Sequence, residues 1–238
     1  MQILVPLSGG GRRYAEAGFL DPKPFIKVGH QSMIELVGRN LGFEGRYIFI
    51  VQKKHLSQYP HITKYFDNIS SDYKVVEVDG MTEGAACSAL LAKDLINTSE
   101  SLILANSDQF MIFDRQLFTS MLKMYDGAIL TFQNGDPKWS YVSVNHSCLV
   151  KEVAEKKVIS SNATCGCYGW AKGSDFVESA EAMIKDNIRV NGEFYVCPTF
   201  NWMINKGKKI ISVPVKGMYG LGVPADLEFF LEEFRGLL

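Results

Sequence analysis

Five short apolar runs, at residues 3–7, 47–51, 74–78, 102–105 and 128–132, alternate with amphipathic stretches at 32–41, 84–95 and 115–125. Each run reads as a strand by length and content, and each stretch between them as a helix with one apolar face. This rhythm predicts an α/β fold: a mostly parallel central sheet with helices on both faces, of Rossmann-like type. Ligands of such sheets bind beyond the carboxyl ends of the strands. The residues after Leu7, Val78 and Ala105 are therefore the ones to inspect.

The rhythm changes after residue 134. Residues 140–145 alternate in period two, 148–154 can pair with them, and 163–170 reads as a further strand. A helix over 175–186 aligns Phe176, Ala180, Met183 and Ile184 on one stripe. Another covers 199–206, a strand covers 209–215, and a last helix starts at Pro224 with Leu227, Phe230, Leu231 and Phe234 facing inward. With no repeat, low-complexity segment or linker, the expectation is a single domain over 1–238 with a β-rich second half.

A net charge of −1 with no long run of one sign argues against an electrostatic grip on nucleic acid or anionic membrane. Any phosphate would have to be met by a few placed cations. The opening MQILVPLSGGG reads as a buried strand rather than a signal peptide, and no stretch approaches the roughly 20 apolar residues of a membrane span. Five cysteines without paired spacing argue against a disulfide scaffold and suit a cytoplasmic protein. Cys165 and Cys167 share one face of a strand and, lacking nearby His or Cys partners, read as buried small side chains rather than a zinc site.

The segment LSGGGRRYAEAGFLDPKPFIKV carries the strongest chemical signal. Gly9, Gly10 and Gly11 directly after a buried strand let backbone N–H groups approach an anion closely. No Gly-Lys-Ser/Thr follows, so this is not a Walker loop, and Tyr14 replaces the third glycine of a dinucleotide fingerprint. Arg12 and Arg13 follow the glycines, and Lys23 lies between Pro22 and Pro24, which are expected to hold it on an extended stretch. Arg12 reads as a solvated side chain. Arg13 and Lys23 read as two fixed cations for a polyphosphate.

Leu7-Ser8-Gly9-Gly10-Gly11-Arg12-Arg13 followed by Pro22-Lys23-Pro24 closely resembles the signature of the sugar-phosphate nucleotidylyltransferases, roughly L-A-G-G-x-G-T-R and then P-K-P. Thr82-Glu83-Gly84-Ala85-Ala86 looks like that family's base-contacting stretch, and Asn106-Ser107-Asp108 falls where it places a metal-binding Asp. Glu155-Lys156 resembles its pair near the sugar phosphate, and Gly192-Glu193-Phe194-Tyr195 a sugar-hydroxyl contact. The chain looks most like the short members from capsule and surface-polysaccharide loci. The resemblance implies a GT-A-like nucleotidyltransferase fold with a nucleotide-binding half at 1–134 and an acceptor-binding half at 135–238 that includes the C-terminal helix. It implies transfer of a nucleotidyl group from a nucleoside triphosphate to a phosphorylated small molecule, first a sugar 1-phosphate, with pyrophosphate leaving. Arg13, Lys23 and Asp108 would be catalytic; Leu7, Ser8, Gly9, Gly10, Gly11, Arg13, Gly84, Ala85, Asn106 and Ser107 would hold the nucleotide. Lys156, Gly166, Glu193 and Asn201 would contact the acceptor, and Asp108, with Asp226 as a doubtful second ligand, would hold Mg²⁺. A homo-oligomer is compatible with the resemblance.

Bland readings stand beside these. Glu155 and Lys156 belong to a charged run at 152–157 that would suit a solvated strand end, and Glu193 after Asn191-Gly192 would suit a turn. Two departures from the family pattern matter. Its second metal-binding Asp, in a W-x-D-x-G-T-like segment, is replaced here by glycine in Met218-Tyr219-Gly220-Leu221-Gly222-Val223-Pro224. Asp226, the nearest carboxylate, sits in a first helical turn where the dipole accounts for it. Gly80 stands where sugar-nucleotide members often have Gln, so base preference does not transfer. Rival readings are a cytidylyltransferase for a phosphorylated alcohol or amine, a GT-A glycosyltransferase, and a non-catalytic nucleotide sensor. Trp139, Tyr168, Trp170 and Trp202 suit either acceptor, stacking on a sugar or caging a cation, and as a plainer reading are core. Ser107-Asp108-Gln109 lacks the paired aspartates of the glycosyltransferases, which also have no need of Arg13 and Lys23.

Overall fold

The computed structural model describes residues 1–236. In chain order its strands are β1 (Gln2–Pro6), β2 (Lys27–Val28), β3 (Gln31–Ser32), β4 (Arg46–Gln52), β5 (Tyr73–Val78), β6 (Leu102–Ala105), β7 (Gln109–Ile112), β8 (Gly127–Gln133), β9 (Ser140–Val144), β10 (Val150–Glu155), β11 (Asn162–Trp170), β12 (Ile210–Pro214) and β13 (Gly217–Gly220). Nine of them form one sheet in the order β10-β9-β11-β6-β1-β4-β5, with β8 on the other side of β11 and β12 beyond it. β5, β4, β1 and β6 pair in parallel, and only β10 and β11 run against the direction shared by the other seven. The mostly parallel α/β sheet expected from the sequence is therefore present. β2–β3 and β7–β13 are separate two-stranded ribbons.

The central strands read as unbroken apolar runs because both faces are covered. Ile3, Val5, Tyr47, Phe49, Ile103 and Ala105 point into one core, which helices Met33–Leu41, Arg115–Met124 and Pro224–Glu233 cover with Ile34, Val37, Phe118, Leu122, Leu227 and Phe230. The alternate residues Leu4, Ile48, Ile50, Leu102 and Leu104 point into the other. Helices Gly173–Lys185 and Thr199–Asn205 close that face with Phe176, Val177, Ala180, Phe200 and Met203. Tyr168 and Trp170 are core here, Trp170 stacked on Phe200 at 4.6 Å. Cys165 and Cys167 are fully buried on one face, and no group of three potential metal ligands occurs among the described residues.

Some elements differ from expectation. The helix expected over 84–95 is two, Ala85–Leu90 and Lys93–Ile96, because Leu91 and Ala92 bond three residues back and tighten the chain out of α geometry. Lys23 is not on an extended stretch: Pro22 is extended, but Lys23–Phe25 form one 3-10 turn closed by Phe25 N–H on the Pro22 carbonyl at 2.8 Å, which buries Pro24 and Phe25. No helix among the described residues is long and apolar enough to cross a membrane.

Helix Met33–Leu41 has a complete capping box. Ser32 Oγ accepts from Glu35 N, and Glu35 Oε2 accepts from Ser32 N at 2.7 Å. Burial opposes the Glu35 charge, but hydrogen bonds from Ser32 and Asn68 outweigh it and hold the carboxyl below its ordinary 4.5. A depressed native pKa contributes stability above the unfolded value that is lost as pH falls through the native one. Ser32→Ala should cost about 1–2 kcal/mol at neutral pH. Thermal melts should show that cost shrinking below the ordinary carboxylate pKa; a constant cost down to strongly acidic pH would remove Glu35 from the cap.

Candidate active site

A cavity of about 560 Å³ opens beyond the carboxyl ends of β1, β5 and β6. It is lined by Leu7, Ser8, Gly9, Gly10, Gly11, Arg13, Lys23, Gly84, Ala85, Asn106, Ser107, Asp108 and Glu193. The residues expected to hold nucleotide thus surround one space, as strand topology requires.

Its first wall is the glycine loop. Gly11 adopts φ +60° and starts a short helix, Arg12–Glu16; a Cβ there would press within 3.2 Å of the Lys23 Cβ, so glycine permits the lysine's close approach. Tyr14 pins this helix: fully buried, it donates from its hydroxyl to the carbonyls of Leu221 at 2.8 Å and Val223 at 3.2 Å. Burial raises its phenol pKa well above the usual range, with the charges of Asp108 and Asp226 adding to the effect. Arg12 also borders the cavity, but its exposed guanidinium is paired with Glu16. Arg13 faces the cavity, exposed, with no side-chain partner among the described residues. Gln52 donates to the Ser8 carbonyl at 2.6 Å, and the Ser8, Ser88 and Thr82 hydroxyls are chained at 3.1 and 2.6 Å, tying the loop to the segment before helix Ala85–Leu90.

Lys23 Nζ and Asp108 Oδ2 form a 2.7 Å ion pair with side chains only 19% and 21% exposed. Removing one partner of a pair this sheltered leaves the other's charge poorly solvated. Asp108 is held from a second direction: its carbonyl accepts from Leu221 N at 2.7 Å, and Gly222 lies so close that a Cβ would be 3.2 Å from its Oδ2.

The far wall joins the first half of the chain to the second. Gly84, at φ +131°, packs its α-carbon onto the Phe194 backbone, and any Cβ there would collide with the Phe194 nitrogen and carbonyl oxygen. Phe194 N donates to the Glu83 carbonyl at 2.8 Å and its carbonyl accepts from Ala86 N at 3.0 Å. Arg189 closes the clasp by pairing with Glu83 and lying 3.9 Å above the Phe194 ring. On either side of the buried Phe194, Glu193 and Tyr195 line the cavity.

Tyr195 accepts a hydrogen bond from Lys156 Nζ, which also lies 4.6 Å from its ring centroid. Burial raises the Tyr195 pKa, against the pull of Lys156. Burial likewise raises Glu155, whose carboxylate accepts from the Ser140 hydroxyl. Lys156 thus touches the cavity-lining Tyr195 without lining the cavity itself, and Glu155 is bound to Ser140 rather than solvated at a strand end.

Three expected contacts are placed elsewhere. Gly166 is buried at a bulge of β11 with φ +68°, its α-carbon covered by the Asn106 and Gln109 side chains, so it shapes the seat of Asn106. Asn201 commits its amide to Val153, accepting from its N at 2.9 Å and donating to its O at 2.8 Å, which ties helix Thr199–Asn205 to β10. Asp226 lines a different cavity, without Asp108, and makes no side-chain cap bond at its helix start. Sequence reading missed Ser88 and Arg189, and it quoted Tyr14 and Tyr195 without giving either a role of its own; Tyr14 carried a signal as a bulky residue in a glycine position.

No family model and no curated protein sequence matches the chain. Solved structures do. A nucleoside-diphosphate-sugar pyrophosphorylase from Vibrio cholerae RC9 superposes with TM-score 0.85 at 23% identity, over 97% of this chain and 99% of that one. A UDP-glucose pyrophosphorylase complexed with UDP-glucose gives 0.80 at 14% identity, over 100% and 99%. The inositol-1-phosphate CTP transferase from T. maritima gives 0.74 at 16% identity, over 99% and 96%. At these identities the likeness is one of fold, and it extends over essentially the whole chain.

Gly84→Ala tests the clasp. Its Cβ meets backbone, which cannot swing aside, at a φ that side chains rarely adopt. The substitution should lower the melting temperature measured by thermal melts, whereas Gly135→Ala, with no atom near its Cβ position and an ordinary φ, should change it little.

Proposed function

We propose that the protein is a nucleotidylyltransferase that joins the nucleotidyl group of a nucleoside triphosphate to a phosphorylated metabolite, first a sugar 1-phosphate, and releases pyrophosphate. The observation that carries this reading is the convergence of a glycine loop, an unpartnered Arg13 and the Lys23–Asp108 pair on one cavity. In-line attack of a phosphate oxygen on the α-phosphorus needs positioning and charge neutralisation more than covalent help. Backbone N–H groups of the glycine loop would cradle the triphosphate, and Arg13 would offset charge growing on the leaving pyrophosphate. Lys23 would exchange Asp108 for the α-phosphate and the incoming oxygen. Lys156, aimed by Tyr195, would hold the acceptor's phosphate, and Glu193 would accept from its hydroxyls.

Mg²⁺ fits this donor set in a limited way. Asp108 offers a hard oxygen ligand at the cavity wall, and an octahedral ion accepts one protein carboxylate when phosphates and water complete it. Bound there, it would neutralise phosphate oxygens.

The base stays open, as does the acceptor between a sugar phosphate and a phosphorylated alcohol or amine. Supply of precursors for a surface or capsular polysaccharide, in the cytoplasm, is the role the family resemblance favours. A glycosyltransferase would leave Arg13 and Lys23 without a task.

Incubation with Mg²⁺, the four triphosphates and a panel of phosphorylated metabolites should release pyrophosphate only when an acceptor is present. Sugar transfer from a nucleotide sugar without pyrophosphate would overturn the reading. Arg13→Ala and Lys23→Ala should each lower kcat/KM by a factor on the order of 10² or more, with far-UV circular dichroism unchanged. Asp108→Asn should nearly abolish turnover and raise the Mg²⁺ requirement. Asp226→Asn should leave that requirement as it was and cost on the order of 1 kcal/mol of stability at its helix start. Parallel shifts in Mg²⁺ titrations of the two variants would make Asp226 a ligand instead.

A further inference from the structure

A second cavity, of about 190 Å³, lies where the end of β13 meets the first turn of helix Pro224–Glu233 and the residues before β9. Its walls include the aromatic side chains of Trp139, Tyr219 and Phe229 and the carboxylate of Asp226. Trp139 is braced edge-on by Phe132 at 5.3 Å, and Tyr219 stacks with Phe229 at 6.4 Å. The Asp226 carboxylate forms no ion pair and accepts no side-chain or capping hydrogen bond among the described residues. Gly220 keeps the space open: a Cβ there would sit 3.2 Å from Asp226 Oδ2 and 3.8 Å from Trp139 Cη2, so carboxylate and indole both approach one point beside this glycine.

We propose that this cavity is a subsite for an organic ammonium group, held by the Asp226 charge and the Trp139 face. Aromatic faces attract cations, and more strongly when water is displaced, while a partly buried carboxylate gains most from a cationic partner. An anion would be repelled by Asp226, and a neutral polyol, though it would meet Asn134 and Tyr219, would leave the Asp226 charge unpartnered. The indole already draws an ammonium, that of Lys138, whose Nζ lies 5.2 Å from its centroid. That side chain is 54% exposed and only loosely paired with Asp136 at 3.6 Å, so it competes for the site without filling it.

The subsite adjoins the reaction cavity. Gly220 borders Asp226, and two residues on Gly222 borders Asp108; the Trp139 carbonyl accepts from Lys156 N at 3.1 Å. Its use therefore rests on the proposed reaction: it would take the ammonium of a phosphorylated acceptor, an amino sugar or an amino alcohol.

Calorimetry on the full chain tests the site without turnover, so failure of the proposed reaction leaves this result readable. Tetramethylammonium should bind at least about ten-fold more tightly than its neutral analogue 3,3-dimethylbutan-1-ol. Asp226→Asn and, separately, Trp139→Leu should each weaken it by about ten-fold, with melting curves confirming that at least one variant is folded. Lys138→Ala should leave binding unchanged or tighter. Displacement of the probe by glucosamine but not glucose would assign an amino sugar; displacement by ethanolamine alone would assign an amino alcohol. Equal binding of the neutral analogue, no effect of Asp226→Asn in a folded variant, or loss of binding in Lys138→Ala would overturn the proposal.

Discussion

The 2.7 Å pair between Lys23 and Asp108 joins the two parts of the chain that must meet for the cavity to exist. Lys23 belongs to the loop after β1 and Asp108 to the turn after β6, neighbouring strands of the sheet. Glycine 11 lets the lysine come close, and glycine 222 lets the segment after β13 lie against the aspartate. Tyr14 then locks that segment to the glycine loop through the Leu221 and Val223 carbonyls. A sheltered pair of opposite charges is costly to separate in place, and in the proposed reaction phosphate oxygens would supply the charge the lysine would otherwise lose.

Much of the fold was legible because burial on both faces makes a simple demand on the chain. The run at 102–105 became a strand with those bounds, and the helix expected over 32–41 formed as Met33–Leu41 with Ser32 as its cap. The elements that sequence reading missed are those that tertiary contacts create. Helix Arg12–Glu16 has five residues, too few for periodicity to show, and is held by Tyr14 reaching more than two hundred residues along the chain. β7 and β13 are four residues each and pair with one another off the main sheet.

The candidate site divides along the same line. Residues next to the strand ends, from Leu7 to Asp108, could be placed from order alone. Beyond residue 134 the chain turns back on itself, and residues close in sequence part company: Tyr195 lines the cavity and is bound by Lys156, while Asn201 fastens Val153. Nothing in the sequence around Asn201 distinguishes a ligand amide from one that ties a helix to a strand. Likewise Asp226 and Asp108 both raise the phenol pKa of Tyr14 yet line separate cavities.

The packing of Gly84 against the Phe194 backbone restricts how such a site can be altered. A residue with any side chain at 84 must push Phe194 away, and Phe194 carries Glu193 and Tyr195 with it. The position is closed to retuning: variation there disturbs both of these cavity-lining residues at once. Thr82 is bound into the same wall, its hydroxyl donating to the Gly84 carbonyl at 2.9 Å, whereas Met81 lines the cavity and is 73% exposed. Change that leaves the far wall intact therefore has Met81 to work with, just upstream of a fixed glycine.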